Sequence, residues 1–404
     1  MAGLLQNIIY QETTDRLNSL RVAGRVAFER QGIPTPKTEA WKYTKLREFN
    51  TNDYEIGEER ISAAPAVFPF PVYEISFANG RLVNHSDSLP NGVRLKKLSQ
   101  ADDYLNRLVD IEHYPFAALN AFYLDQGFLV EIAAGVKLDR PLAITYYTEP
   151  NGRNLLENIR NIIVAGANSE IEIIEYYHYS GEVKSRYLVN QVNEIFIGEG
   201  ATVNHYKFQN EAFKANHIAL HAVEQQTGSR YHSFCLQKGA NIARNETKVR
   251  LLGKEACASV DAAYLMNGWA TIDTTTDIEH IVPETISDQL VKGVVDGDAK
   301  GVFQGKIHIA HNAVKTAGKQ LHKALLLSDN AEIDVKPELE IFADDVKCSH
   351  GAATGELDEE QLFYMQARGI SREAAKQLLI DAYLEDVFCR ICSEPIRCWF
   401  KELK

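Results

Sequence analysis

Between Phe116 and Ala343 a two-residue unit ending in alanine recurs just ahead of short apolar runs, and this repetition restricts the possible folds. It reads Gly166-Ala167 before Ile171, Gly200-Ala201 before Val203 and Gly239-Ala240 before Ile242. It returns as Glu255-Ala256 before Val260, Asp298-Ala299 before Val302 and Asn330-Ala331 before Ile333. Successive starts lie 34, 39, 16, 43 and 32 residues apart, close to one or two multiples of a coil of about 16–22 residues. The runs between them, such as Ile171-Glu172-Ile173 and Lys306-Ile307-His308-Ile309, are strand-like, with no useful helical period. One such coil cannot bury its apolar side alone, whereas stacked coils bury a continuous column. The expectation is therefore a β-helix or related solenoid. A sandwich of antiparallel hairpins is the rival, and it requires tight Asn-Gly or Asp-Gly turns at shorter spacing. Asn79-Gly80 precedes the region, and Asn267-Gly268 and Asp296-Gly297 fall within it.

Helical segments flank this core. Leu4, Leu5, Ile8, Ile9, Leu17, Leu20, Val26 and Phe28 fall at roughly helical spacing before Pro34 and Pro36 interrupt. A proline-rich stretch from Ala63 to Pro71 reads as a packed linker. After Gly355, Asp358 with Gln361 predicts a capped helix start, Leu357 and Leu362 a hydrophobic staple, and Gly369 the stop. Ser371 predicts the cap of a second helix with Ala374, Ala375, Leu378, Leu379, Ala382 and Tyr383 on one stripe. Pro395 begins a short last helix carrying Trp399 and Phe400. The organisation is a helical region with linker (1–115), a β-helix core (116–352) and a C-terminal helical domain (353–404).

The formal charge of −12 argues against nucleic-acid binding, which needs a basic footprint, and against anionic membranes. Met1–Ile9 lacks the basic start of a secretory signal, and no apolar run approaches a membrane span. Six cysteines in 404 residues suit reduced thiols in a cytoplasm better than a disulfide framework.

The chemistry-bearing candidates are few. Cys348 and His350 are two residues apart in a segment that starts as a strand and is expected to end in a turn at Gly351. Residues i and i+2 of a strand point to one side, so both donors face one metal or one neighbouring chain. Cysteine thiolate suits iron–sulfur clusters and imidazole suits iron. A cluster normally takes four protein ligands, so two from this segment leave the set incomplete, to be shared across an interface or held loosely. Cys389 and Cys392 form a lone C-x-x-C on an expected helix face, read as structural, as is Cys398. His217 and His221 alternate with Ile218, Leu220 and Ala222 and are expected on a solvated face, as is His308. Gly253-Lys254, Gly305-Lys306 and Gly318-Lys319 lack the following Ser or Thr of a P-loop. No G-x-S-x-G, H-E-x-x-H or G-x-G-x-x-G occurs.

The run Lys336-Pro337-Glu338-Leu339-Glu340-Ile341-Phe342-Ala343-Asp344-Asp345-Val346-Lys347-Cys348-Ser349-His350-Gly351-Ala352, continued by Gly355–Tyr364 and Arg368-Gly369-Ile370, resembles the SufD side of the SufB/SufD family. Gly32–Thr44, with Ala40-Trp41-Lys42-Tyr43, is similar to that family's N-terminal motif, and Phe116–Phe122 before Gly127 is a further echo. The resemblance implies a right-handed parallel β-helix and a non-catalytic subunit of the SUF iron–sulfur cluster assembly machinery. It implies pairing with the paralogue SufB, with His350 and Cys348 near the contact, and leaves open whether a homodimer forms in isolation. It also implies docking of the ATPase SufC on the C-terminal helices, for which Leu362, Phe363, Leu378, Leu379 and Tyr383 are the candidates. No tightly bound cofactor is expected in the isolated chain, only a transient cluster at the shared interface. Two alternatives are a SufB-like cluster scaffold and a β-helical carbohydrate-active enzyme. The Asp-Asp-Val-Lys-Cys-Ser-His run favours the SufD side over the first, and the lack of a signal weighs against the second.

Overall fold

In a computed structural model, residues 17–46, 49, 54–57, 66, 68–86, 89–101, 103–150, 152–179 and 183–404 are described. The helical expectation at Leu4, Leu5, Ile8 and Ile9 lies outside them. Strands of ten or eleven residues alternate between two ten-stranded sheets, so each strand pairs in parallel with the next but one in sequence. That connectivity is a parallel β-solenoid, flattened to two faces. Glu175, Lys207, Cys235, Ala262, Val291 and His322 stand in one register row, so a full coil takes 27–32 residues. This corrects the expected 16–22. The recurring alanine units mark corners at either side of a coil, not one per coil. Ala201, Ala240, Ala256, Ala299 and Ala331 are all buried at those corners. Asn79-Gly80, both at positive φ, closes an antiparallel hairpin between Tyr73–Ala78 and Arg81–His85, as such a pair favours. Gly268 and Gly297 instead serve solenoid corners, with φ of 68° and 71°.

The sheets begin ahead of Phe116, with the two-residue strand Glu55–Ile56 beside Leu155–Leu156 and the main run from Tyr73 to Glu356. At their first ends each sheet finishes in an antiparallel edge strand, Arg81–His85 on one and Val93–Lys97 on the other. The last coil, Glu332–Ile341 and Val346–Glu356, forms the far edge of both sheets.

Both outer faces carry helices. Helix α1 (Asn18–Gln31) crosses α2 (Pro115–Phe122) at Gly24, where a Cβ would stand 2.5 Å from the Phe122 backbone nitrogen. Together they cover Leu156, Leu188, Val192, Ile218, Leu220, Ala222 and Ile242 on the outer side of the first sheet. Asparagines fasten α2. Asn120 donates to Ile159 O (2.9 Å) and Asn190 O (3.1 Å), and Asn190 donates to Phe116 O (3.0 Å). Trp41 lies 4.4 Å under the Arg244 guanidinium, which also donates to Ala40 O and to Asp273.

Helices α3 (Glu359–Ala367), α4 (Arg372–Phe388) and α5 (Glu394–Leu403) follow the last coil, and the latter two fold back over the second sheet. Asp358 accepts from Glu360 N and Gln361 N, Ser371 accepts from Ala374 N, and Gly369 ends α3 at positive φ, as the sequence predicts. The buried stripe of α4 is displaced from the expected one, comprising Ala375, Ile380, Leu384, Val387 and Phe388, while Ala374, Leu378 and Ala382 are exposed. This helix is apolar on two sides, and the sheet beneath chooses between them. Phe68 and Phe70 of the linker pack edge-on against Trp399 at 5.2 and 5.7 Å.

Candidate functional site at the last coil

The strand Val346–Glu356 places Cys348 opposite Gly318 and His350 opposite Gln320. Gly351 lies within this strand, not in a turn. The real turn is Phe342–Asp345, where Ala343 tucks against Ile307, Ile309 and Ala313. Cys348 is half-buried beside that group, and Gly318 leaves room for it, since a Cβ there would be 3.4 Å from the sulfur. Burial pushes the thiol pKa up. His350 is exposed. Its cross-strand neighbour Gln320 is buried, and neither atom of its amide has a hydrogen-bond partner. An open depression of about 380 Å³, lined in part by Asp288, Lys319 and Cys348, lies beside the cysteine, and His350 is not part of its lining. One strand therefore delivers a thiol and an imidazole to one side of an edge. Asp344, Asp345 and Lys347 are exposed. Lys336 instead holds the N-terminal turn, through Glu39 at 2.8 Å.

The C-terminal candidates separate. Leu362 is buried, and Tyr383 is spent on Lys292, whose ammonium donates to its carbonyl and lies 4.4 Å above its ring. Leu379 is half-buried, whereas Phe363 and Leu378 are 73% and 50% exposed. Cys389 follows the last turn of α4 and its thiol donates to Glu385, and Cys392 lies beyond the helix. The pair shares no helix face. All six cysteines are free thiols.

His217 and His221 are not on a solvated face. They point into the column, His217 with no exposure at all. Both sides of their strand are apolar because α1 and α2 cover the outer one, so alternation alone selects the wrong side. His308 is partly exposed as expected, and its Nδ1 lies 3.1 Å from Glu340. Inside, the coils from Leu155 to Gly239 enclose a polar group that was not anticipated. His217 meets Glu211 at 3.0 Å and Lys207 at 2.8 Å, and His205 meets Glu175 at 3.0 Å. Lys207, entirely buried, also sits 4.8 Å from the Tyr177 ring. Burial pushes the neighbouring Cys235 thiol up to about 12, the opposite of an activated nucleophile. The available signal was polar residues on the strand side that also carries Ile173, Tyr177 and Val203.

No described helix is long and apolar enough to cross a membrane. Residues 148–383 match the family model described as SUF system FeS cluster assembly, SufBD core domain, and residues 5–144 match the SufBD protein N-terminal region. An iron–sulfur cluster assembly SufBD family protein of Synechocystis is 29% identical, covering 94% of this chain and 86% of that protein. The chloroplastic protein ABCI7 of Arabidopsis thaliana is 30% identical over 80% of this chain and 70% of its own length. The iron–sulfur cluster assembly protein SufD of Escherichia coli is 28% identical, with 89% and 85% covered. With its core and N-terminal region both matched, this chain belongs to the SufBD family of the SUF system for iron–sulfur cluster assembly.

Proposed function

We propose that the chain is a non-catalytic subunit of cluster assembly that pairs with a SufB-type paralogue through its uncovered last coil. The observation carrying this reading is the contrast between the two ends of the solenoid. The first end finishes in antiparallel strands, one of them carrying Arg94, Lys96 and Lys97, whereas the last coil presents two parallel edges together with exposed Ile341 and Phe342. Open edges of this kind accept strands from another chain. A second copy of the chain fits the same place when the paralogue is missing, which gives a homodimer. At the seam His350 and Cys348 supply two donors and the partner supplies the others. The nascent cluster is cargo, assembled there and passed on. The exposed side of α3 and α4, with Phe363 and Leu378, docks a SufC-type ATPase, in the manner of a helix laid into a groove. The place of action is the cytoplasm.

The test is co-expression with SufB and SufC. His350→Ala is expected to leave the complex intact on size exclusion while its iron and sulfide content falls several-fold. Iron content equal to wild type would discard the ligand role of His350.

A further inference from the structure

We propose that the interior of the solenoid carries a resident divalent transition-metal site formed by Glu175, His205 and His221. These residues come from three strands on both sheets, Glu170–Tyr179, Thr202–Glu211 and Ala215–Gln225, and their donor atoms all lie within 4.8 Å of one another. Glu175 Oε1 is 3.0 Å from His205 Nε2 and 3.9 Å from His221 Nδ1. Two donors each about 2.1 Å from one ion are separated by roughly 3.0–3.4 Å at octahedral or tetrahedral angles. The first pair already meets that spacing, and the second needs a closure of about half an ångström, within the reach of side-chain rotation. Two imidazoles and one carboxylate with remaining positions open are a recognised set for iron(II) and for zinc.

The surroundings orient the donors as a metal site requires. Tyr231 Oη lies 3.0 Å from His205 Nδ1, which leaves Nε2 to face the centre. Tyr177 Oη donates to Glu175 Oε2 at 2.9 Å, and Gln191 reaches the same oxygen at 3.3 Å, so Oε1 is the one turned inward. Such outer hydrogen bonds fix ligand tautomer and direction. Asn193 Nδ2 stands 3.0 Å from His221 Nδ1 and also meets Glu175 Oε1, so its amide occupies the gap that an ion would enter. Lys207, the nearby cation, is turned to His217. The donors are fully enclosed, so the ion enters during folding, and the site is independent of pairing through the last coil.

The full chain is to be unfolded and refolded anaerobically with cobalt(II) as the probe, in the Cys348→Ala/His350→Ala background to remove donors at the last coil. The proposal expects one cobalt per chain, a ligand-field absorption in the visible, and its bleaching by zinc(II). Glu175→Gln/His221→Asn is expected to lose the absorption, and Tyr231→Phe to weaken binding about 10-fold. No uptake by the parent, or equal uptake by the Glu175/His221 variant, would overturn the site. Should that variant fail to refold by circular dichroism, the parent's absorption, its bleaching by zinc and the Tyr231→Phe affinity decide. An affinity unchanged in Tyr231→Phe then counts against it.

Discussion

At the scale of single residues, the interior is governed by the cost of keeping charge away from water. Glu157 is fully enclosed and accepts from Thr148 at 2.7 Å, and burial pushes its carboxyl up to about 8 from an ordinary 4.5. Its folded pKa lies above its unfolded one, so its contribution is intact below about pH 4.5 and is lost as pH rises to about 8. Glu157→Gln removes the titration. Between about pH 5 and pH 8 the wild type is expected to lose roughly 2–4 kcal/mol relative to this variant. Denaturant melts at the two pH values check this, and parallel losses would show that Glu157 is ionised in the fold. Arg160 and Glu194 illustrate the other solution, with two fully buried charges paired at 2.8 Å and the carboxylate also accepting from the Asn106 and Leu108 backbone. Residue-scale detail was the most legible where it was local. Asp358, Ser371 and Gly369 perform the capping their sequence neighbours imply, because a cap is settled within four residues. His217 and His221 were misplaced because their surroundings come from α1 and α2, far earlier in the chain.

At the scale of elements, the apolar side chains of the C-terminal helices divide into a buried set and an outward one. Ile380, Leu384, Phe388 and Phe400 seal the second sheet, while Phe363 and Leu378 are left outward with Tyr364. Because the outward pair contributes little to the fold, Phe363→Asp/Leu378→Asp is expected to change stability by less than about 1 kcal/mol. It is also expected to lower recovery of the ATPase in a pull-down at least 10-fold. Full recovery would remove that face from consideration. Element boundaries followed from composition better than element faces did. The strands were visible as short β-branched runs, and the helices as capped segments. Which stripe of α4 turns inward was not, since both candidate stripes are apolar and only the sheet distinguishes them. The coil length was likewise hidden, because each coil has two corners and both carry the same alanine signal.

At the scale of the whole molecule, two flat sheets closed on their outer faces by helices leave the last coil as an uncovered end with exposed apolar side chains. In the absence of a paralogue, the purified chain is expected to self-associate reversibly in sedimentation at micromolar concentration. Ile341→Lys/Phe342→Lys, which places charge on that end, is expected to weaken association at least 10-fold while leaving the melting temperature nearly unchanged. Association that the lysines do not affect would place the contact elsewhere. The family block in the sequence spans this end, from Lys336 through Cys348 to the start of α3, so the segment was legible, although its turn lies at Phe342–Asp345 and not at Gly351. The interior group around Glu175 was not, because its members lie on separate strands, and only the coil register brings them together.

The antiparallel strands at the start of the column have a consequence for growth. Arg94, Lys96 and Lys97 stand on Val93–Lys97, itself the terminal strand of its sheet, so an incoming strand meets an edge guarded by charges that it must desolvate. A rod with adhesive tips at both ends would polymerise into fibres. With charge guarding one tip and exposed Ile341 and Phe342 at the other, association through the apolar tip alone would stop at two, the limit being set by desolvation and not by specific recognition.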